Sequence, residues 1–213
     1  MKATAILPVK RFSTAKRRLA AGVEDARREA VIAAMLEDVL EAISAARGIE
    51  RTIVVSDEPR AVELAGSAGA EVVPDPSEGG HSGAALAGIA HAETLGAECV
   101  VLLPGDCPLL EPRELDRALT GLPKRYVAIV PDRHGSGTNA LLLAPPGAIR
   151  PAFGEGSCAR HVAAAREAGI PFAVEELPSL ALDLDTPADL VALTRAIEDR
   201  RGRAKRTAKA LGI

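Results

Sequence analysis

Short apolar runs alternate along this chain with longer segments in which apolar positions recur every three to four residues. Ala3–Val9 reads as a first buried strand, and Glu24–Ala46, with Val31, Ala34, Met35, Val39 and Ile43 in register, as a helix. Thr52–Ser56 predicts a strand, Pro59–Ala68 a helix with proline in its first turn, and Glu71–Val73 a short strand. An Ala-rich helix is expected over Ser82–Leu95. Cys99–Leu103 is continuously apolar, as a central strand of a parallel sheet would be. A helix from about Glu111, strands at Tyr126–Val130 and Asn139–Leu143, and a helix over Ser157–Ala168 follow. Phe172–Val174 and Leu180–Leu184 read as short strands, and Pro187 to about Arg201 as a last helix. The alternation predicts an α/β fold over residues 1–213: a single domain with one open, mostly parallel sheet and helices on both faces. Such sheets bind ligands beyond the carboxyl ends of their strands, so chemistry is sought in the loops that follow strands.

Composition narrows the classes. The 213 residues are 47% hydrophobic and 26% charged, with a net charge of −3, which excludes a disordered chain. No apolar stretch reaches membrane-spanning length, and the apolar run near the N-terminus is too short for a secretory leader. Cys99, Cys107 and Cys158 form no CxxC pair, which suits reduced thiols, and a cytoplasmic protein is expected. Aromatics are 2% of the chain, so base-stacking platforms and nucleic-acid partners are not expected. A basic tail, residues 200–213, reads as a solvated helix end.

Five loop segments carry candidate chemistry. After the first strand, Pro8-Val9-Lys10-Arg11 leads to Lys16-Arg17-Arg18: five cations in nine positions, suited to a polyphosphate, although no GxxxxGK[ST] is present. Gly79-Gly80-His81-Ser82-Gly83 precedes the Ala-rich helix, where a helix N-terminus and small residues favour an anion. Pro104-Gly105-Asp106 follows the most apolar strand and sets a carboxylate at the sheet's end, suited to Mg²⁺. Asp183 and Asp185, two apart in the expected strand, would share a face and repel unless they shared a cation with Asp106. Thr186, Pro187 and Asp189 read as the cap of the last helix, and Asp185 has a capping reading too. Finally, Thr138 and Ser157 lie in glycine-rich turns and could hold a second anion. Cys158, in the first turn of its helix, could carry an acidified thiol, but no His-Asn partner pattern supports a nucleophile there.

Taken in order, PVKRFSTAKRRL, LLPGDCPLL, DRHGSGTNALLL, FGEGSCARHV and LDLDTPADL resemble the CofC (FbiD) guanylyltransferases of coenzyme F-420 biosynthesis. The resemblance implies a nucleotidyltransferase fold related to GT-A and Rossmann-like folds. It implies a reaction of GTP with phosphoenolpyruvate or 2-phospho-L-lactate, between which the sequence does not choose. By the same resemblance Thr138, Gly154 and Ser157 would bind the phosphoacid, and Asp106, Asp183 and Asp185 would hold Mg²⁺. Pro8, Lys10, Lys16, Gly80, Ser82 and Gly83 would meet the nucleotide, with Lys16 and Asp106 as the catalytic pair. Another nucleotidyltransferase, for a molybdenum cofactor or a sugar, and a non-catalytic GTP-binding regulator are the alternatives. A homodimer is left open.

Overall fold

The computed structural model describes residues 2–13, 25–76, 79–199 and 202–213. Among these, the strands β1 (Ala3–Pro8), β2 (Ile49–Val55), β3 (Glu71–Val73), β4 (Val100–Leu102), β5 (Tyr126–Pro131), β6 (Thr138–Ala144) and β7 (Phe172–Val174) make one sheet. Their order is β3-β2-β1-β4-β6-β5-β7. Successive residues of a strand face opposite layers, and both layers here are apolar. Ala5, Leu7, Val54, Val101 and Leu142 meet α1 (Asp25–Ala45), α2 (Pro59–Ser67), α4 (Pro112–Leu119) and α6 (Pro187–Asp199) on one side. Ile6, Ile53, Val55, Leu102 and Leu141 meet α3 (Gly80–Thr94) and α5 (Ser157–Glu167) on the other. Gly88 allows α3 to lie on the sheet, since a Cβ there would fall 2.4 Å from Ile6 Cγ2 and 3.0 Å from Val55 Cγ2.

The topology positions the site. β1 is parallel to β2 and to β4, so the chain winds outward to β3 and then returns to the other side of β1. The point of reversal lies between β1 and β4, where such sheets open a crevice. β6 runs antiparallel to both β4 and β5, which puts its first residues at the rim where β1, β4 and β5 end.

Two segments depart from expectation. Leu180–Leu184 is not a strand: its backbone is used by loops and side chains instead of a ladder. Leu180 O accepts from Asn139 Nδ2 at 2.7 Å and from the Cys107 thiol at 3.6 Å, and Ala181 O accepts the Arg133 N–H at 2.9 Å. Within the basic tail, α7 (Lys205–Leu211) is a helix docked on α1. Asp38 of α1 accepts from the N–H groups of Arg206 and Thr207 and from the Thr207 hydroxyl, capping α7 from outside, and Arg206 pairs with Glu37 and Glu41. A carboxylate on another helix makes this cap, so α7's own sequence carries no sign of it. The other elements fall within three residues of their expected bounds.

Candidate active site

The rim loops enclose a cleft of about 860 Å³. On the β1 side, the loop is fixed at its root: Val9 N–H bonds Val55 O, the Ser56 hydroxyl donates to Val9 O at 2.7 Å, and Phe12 N–H donates to Glu58 at 3.0 Å. This holds Pro8 and the exposed Lys10 on the cleft wall. Lys16 lies outside the described residues.

Asp106 stands in the tight turn after β4. Asp183 and Asp185 reach the same point from the 181–186 loop, and oxygens of the three carboxylates lie within 4.8 Å of one another. The expectation that they converge holds, but not its reason, which was alternation along a strand. Convergence comes from cross-ties. Cys107 bonds the carbonyl of Leu180, and the Asn139 amide bridges Leu180 O and, at 3.5 Å, Asp183 Oδ1. Asp185 N–H donates to Asp189 Oδ2 at 3.1 Å. Asp189 and Thr186 form the expected capping box, with Thr186 N–H and hydroxyl on Asp189 Oδ2 and Asp189 N–H on Thr186 Oγ1. Burial pushes the Asp189 carboxyl up, but the Thr186 and Asp185 bonds and Arg133, 2.5 Å away, outweigh it and hold it below the usual range. Hard oxygen donors set this way fit a small divalent cation such as Mg²⁺.

Thr138 and Ser157 line another part of the same cleft, together with Asp132 and Glu155. Thr138 opens β6, and Ser157 opens α5 behind Gly156, whose φ of +69° is left-handed. The turn before β6 is wrapped on Asp132, which accepts the N–H groups of His134, Ser136 and Gly137, and Ser136 O in turn accepts the Cys158 N–H. Those bonds set the α5 N-terminus beside Thr138. Ser157 is 1% exposed, and its Oγ has no hydrogen-bond partner among the described residues although it lines the cleft. Arg160 draws the carbonyls of Ala152, Phe153 and Glu155 onto its guanidinium, which shapes the loop that exposes Gly154 at φ +105°. The Cys158 thiol is pushed up by burial and then by Asp132, the reverse of an acidified nucleophile.

Of the segment before α3, His81 lines the cleft, while Gly80, Ser82 and Gly83 form the helix turn beside it. Ser82 Oγ accepts the Phe153 N–H at 2.9 Å, tying α3 to the Gly154 loop. His161, to which no role was assigned from sequence, is wholly buried between these parts: its Nδ1 lies 3.0 Å from Thr138 Oγ1, and its Nε2 accepts the Ala152 N–H at 2.9 Å. The available signal was spacing, since His161 follows Ser157 by four residues and so shares its helix face.

A family model described as guanylyl transferase CofC like matches residues 3–212. The chain belongs to the CofC-like guanylyl transferase family. A phosphoenolpyruvate guanylyltransferase from Conexibacter woesei is 50% identical over 97% of this chain and 94% of its own length. A 3-phospho-D-glycerate guanylyltransferase from Phenylobacterium zucineum is 40% identical over 93% of each. A solved structure from Desulfovibrio desulfuricans G20, named for nucleotide-diphospho-sugar transfer, superposes with a TM-score of 0.78 at 18% identity, covering 99% of this chain and 94% of that one. That likeness speaks to the fold, which is of the nucleotidyltransferase type. The CofC-like chain is thus an enzyme whose cleft holds a carboxylate cluster and two buried hydroxyls. None of its described helices is long and apolar enough to cross a membrane.

Proposed function

We propose that this CofC-like enzyme joins GTP to phosphoenolpyruvate, releasing pyrophosphate. The supporting observation is that one cleft, at the switch point of the sheet, holds both three converging carboxylates and two buried hydroxyls. Such a cleft suits two anions that must meet. The triphosphate would lie along Pro8 and Lys10, over the carboxylate end, with the helix turn at Gly80, Ser82 and Gly83 near the nucleotide and Lys16 reaching its phosphates. The acid's phosphate would sit on Thr138, Gly154 and Ser157. A phosphate oxygen of the acid forms a bond to the α-phosphorus of GTP as the bond to the pyrophosphate oxygen breaks. That oxygen is already anionic near neutral pH, so the chain need only align the reactants and offset charge. Asp106, Asp183 and Asp185 would hold Mg²⁺, which when bound supplies charge neutralisation at the triphosphate. Cys99, Cys107 and Cys158 form no disulfide, which suits a cytoplasmic setting, and coenzyme F-420 assembly is the route we propose for the product, with the family resemblance as its support.

The test is pyrophosphate release from GTP and Mg²⁺ with phosphoenolpyruvate, 2-phospho-L-lactate and 3-phospho-D-glycerate in separate reactions. Phosphoenolpyruvate should be turned over with the highest kcat/KM. Preference for either other acid would keep the reaction and replace the acceptor, and release with none would end the reading.

A further inference from the structure

His161 takes part in a hydrogen-bond chain whose direction is fixed by one certain donor. The Ala152 peptide N–H can only donate, so His161 Nε2, 2.9 Å away, is an unprotonated acceptor. A neutral imidazole then carries its proton on Nδ1, and Nδ1–H must donate to Thr138 Oγ1 at 3.0 Å. The threonine oxygen is thereby an acceptor toward the protein, and its own hydrogen is left for the cleft that Thr138 lines. The ring has no freedom to reverse. It is 0% exposed, and the edge of Phe153 packs against it with centroids 5.4 Å apart. Its tautomer is also protected, because burial and then the Arg160 charge push the imidazole down to about 4.

We infer that His161 is a positioning residue that makes the Thr138 hydroxyl an obligate donor to the phosphate of the acceptor acid. The inference rests on the proposed placement of the acid at Thr138. With the Ser157 hydroxyl, which has no partner among the described residues, it offers the acid two uncharged donors, an arrangement that rewards acceptor oxygens and leaves a donor group unmatched.

Two substitutions separate orientation from packing. His161→Asn puts an amide N–H near Nδ1 and keeps the bond to Thr138 while giving up the Ala152 acceptor. His161→Gln puts an amide oxygen near Nε2 and does the reverse. Both are assayed in the full chain with GTP, Mg²⁺ and phosphoenolpyruvate, alongside Thr138→Val. Losing a hydrogen bond to a charged group is worth about tenfold or more in binding, so Thr138→Val and His161→Gln should each raise the KM for phosphoenolpyruvate by about that factor. The KM for GTP should stay within about twofold. His161→Asn should recover most of the loss. If His161→Gln matches wild type, or His161→Asn is as impaired as His161→Gln, His161 only holds the 150–153 loop and the inference falls. If Thr138→Val leaves that KM unchanged in an active enzyme, the placement of the acid fails, and the inference with it. Nitrogen-15 NMR of the wild-type imidazoles is independent of how the variants fold. The His161 resonance, assigned by its loss in His161→Gln, should report the Nδ1–H tautomer at pH 7, and an Nε2–H tautomer would overturn the inference.

Discussion

At one end of the cleft, Asp106, Asp183 and Asp185 stand half-buried or exposed on loops; at the other, Thr138, Ser157 and His161 are buried in β6 and α5. The difference follows from the cost of removing each group from water. An ionised carboxylate without a partner costs several kcal/mol to bury, and three together repel. They therefore keep access to solvent and are steered by backbone ties rather than packed in. A hydroxyl left unpaired costs only about 1–3 kcal/mol, so the fold can keep Ser157 Oγ buried with no partner among the described residues. The carboxylates are thus held on solvent-accessible loops, and the hydroxyls within regular structure.

The largest effect should come from breaking the charged end. Asp106→Asn removes one of three converging carboxylates and should lower turnover about a hundredfold or more, as losses of a charge-stabilising group commonly do. Stability should be unchanged or slightly higher, because like-charge repulsion is relieved. Pyrophosphate release and a thermal melt check both, and a rate within about threefold of wild type would remove the metal assignment.

The buried end should reveal itself in acid. His161 titrates near 4 in the folded protein against an ordinary 6.5, so between those values the unfolded chain binds the extra proton. Stability from this group is therefore complete above pH 6.5 and is lost as pH falls toward 4, about 3 kcal/mol over the whole window. Urea unfolding at pH 7, 6 and 5 should show a steeper decline for wild type than for His161→Gln. Equal slopes would mean that the ring is charged or solvated in the native state.

The two ends were unequally legible in the sequence. Asp106 announced itself, since a continuous apolar run ending in Pro-Gly-Asp puts a carboxylate at a sheet's edge. Asp183 and Asp185 were legible as an acid pair, but the strand invoked to align them does not exist; Asn139, Cys107 and Asp189 do that work through contacts between distant segments. β6 reads the same in either direction, because a continuous apolar run carries no sign of chain polarity, so nothing showed that Thr138 opens an antiparallel strand. His161 was hidden for the same reason as the cap of α7: a single polar residue declares its partner only when the fold brings the partner to it.

A smaller effect sharpens the hydroxyl end. Ser157→Ala removes a buried hydroxyl with no partner among the described residues, so it should not destabilise the fold and should raise Tm by a degree or so. The KM for phosphoenolpyruvate should nonetheless rise about tenfold, with that for GTP unchanged. A variant that loses stability and keeps its KM would show Ser157 to be a helix cap alone.

The smallest effect tests whether the two ends are separately supported. The Thr186–Asp189 box supports the carboxylate end directly, because Asp189 Oδ2 also accepts the Asp185 N–H, and meets the turn before β6 through Arg133. Thr186→Val deletes the hydroxyl that holds this carboxylate and should cost about 1 kcal/mol, as lost helix caps do. Arg133 still restrains Asp189, so Asp185 should shift little, and kcat at saturating Mg²⁺ should stay near wild type. The Mg²⁺ concentration for half-maximal rate should rise about twofold while the KM for phosphoenolpyruvate does not move. A parallel rise in both would mean that the 181–186 loop and the β6–α5 pocket are coupled through Asn139, and that the exposed end is less independent of the buried one than their construction implies.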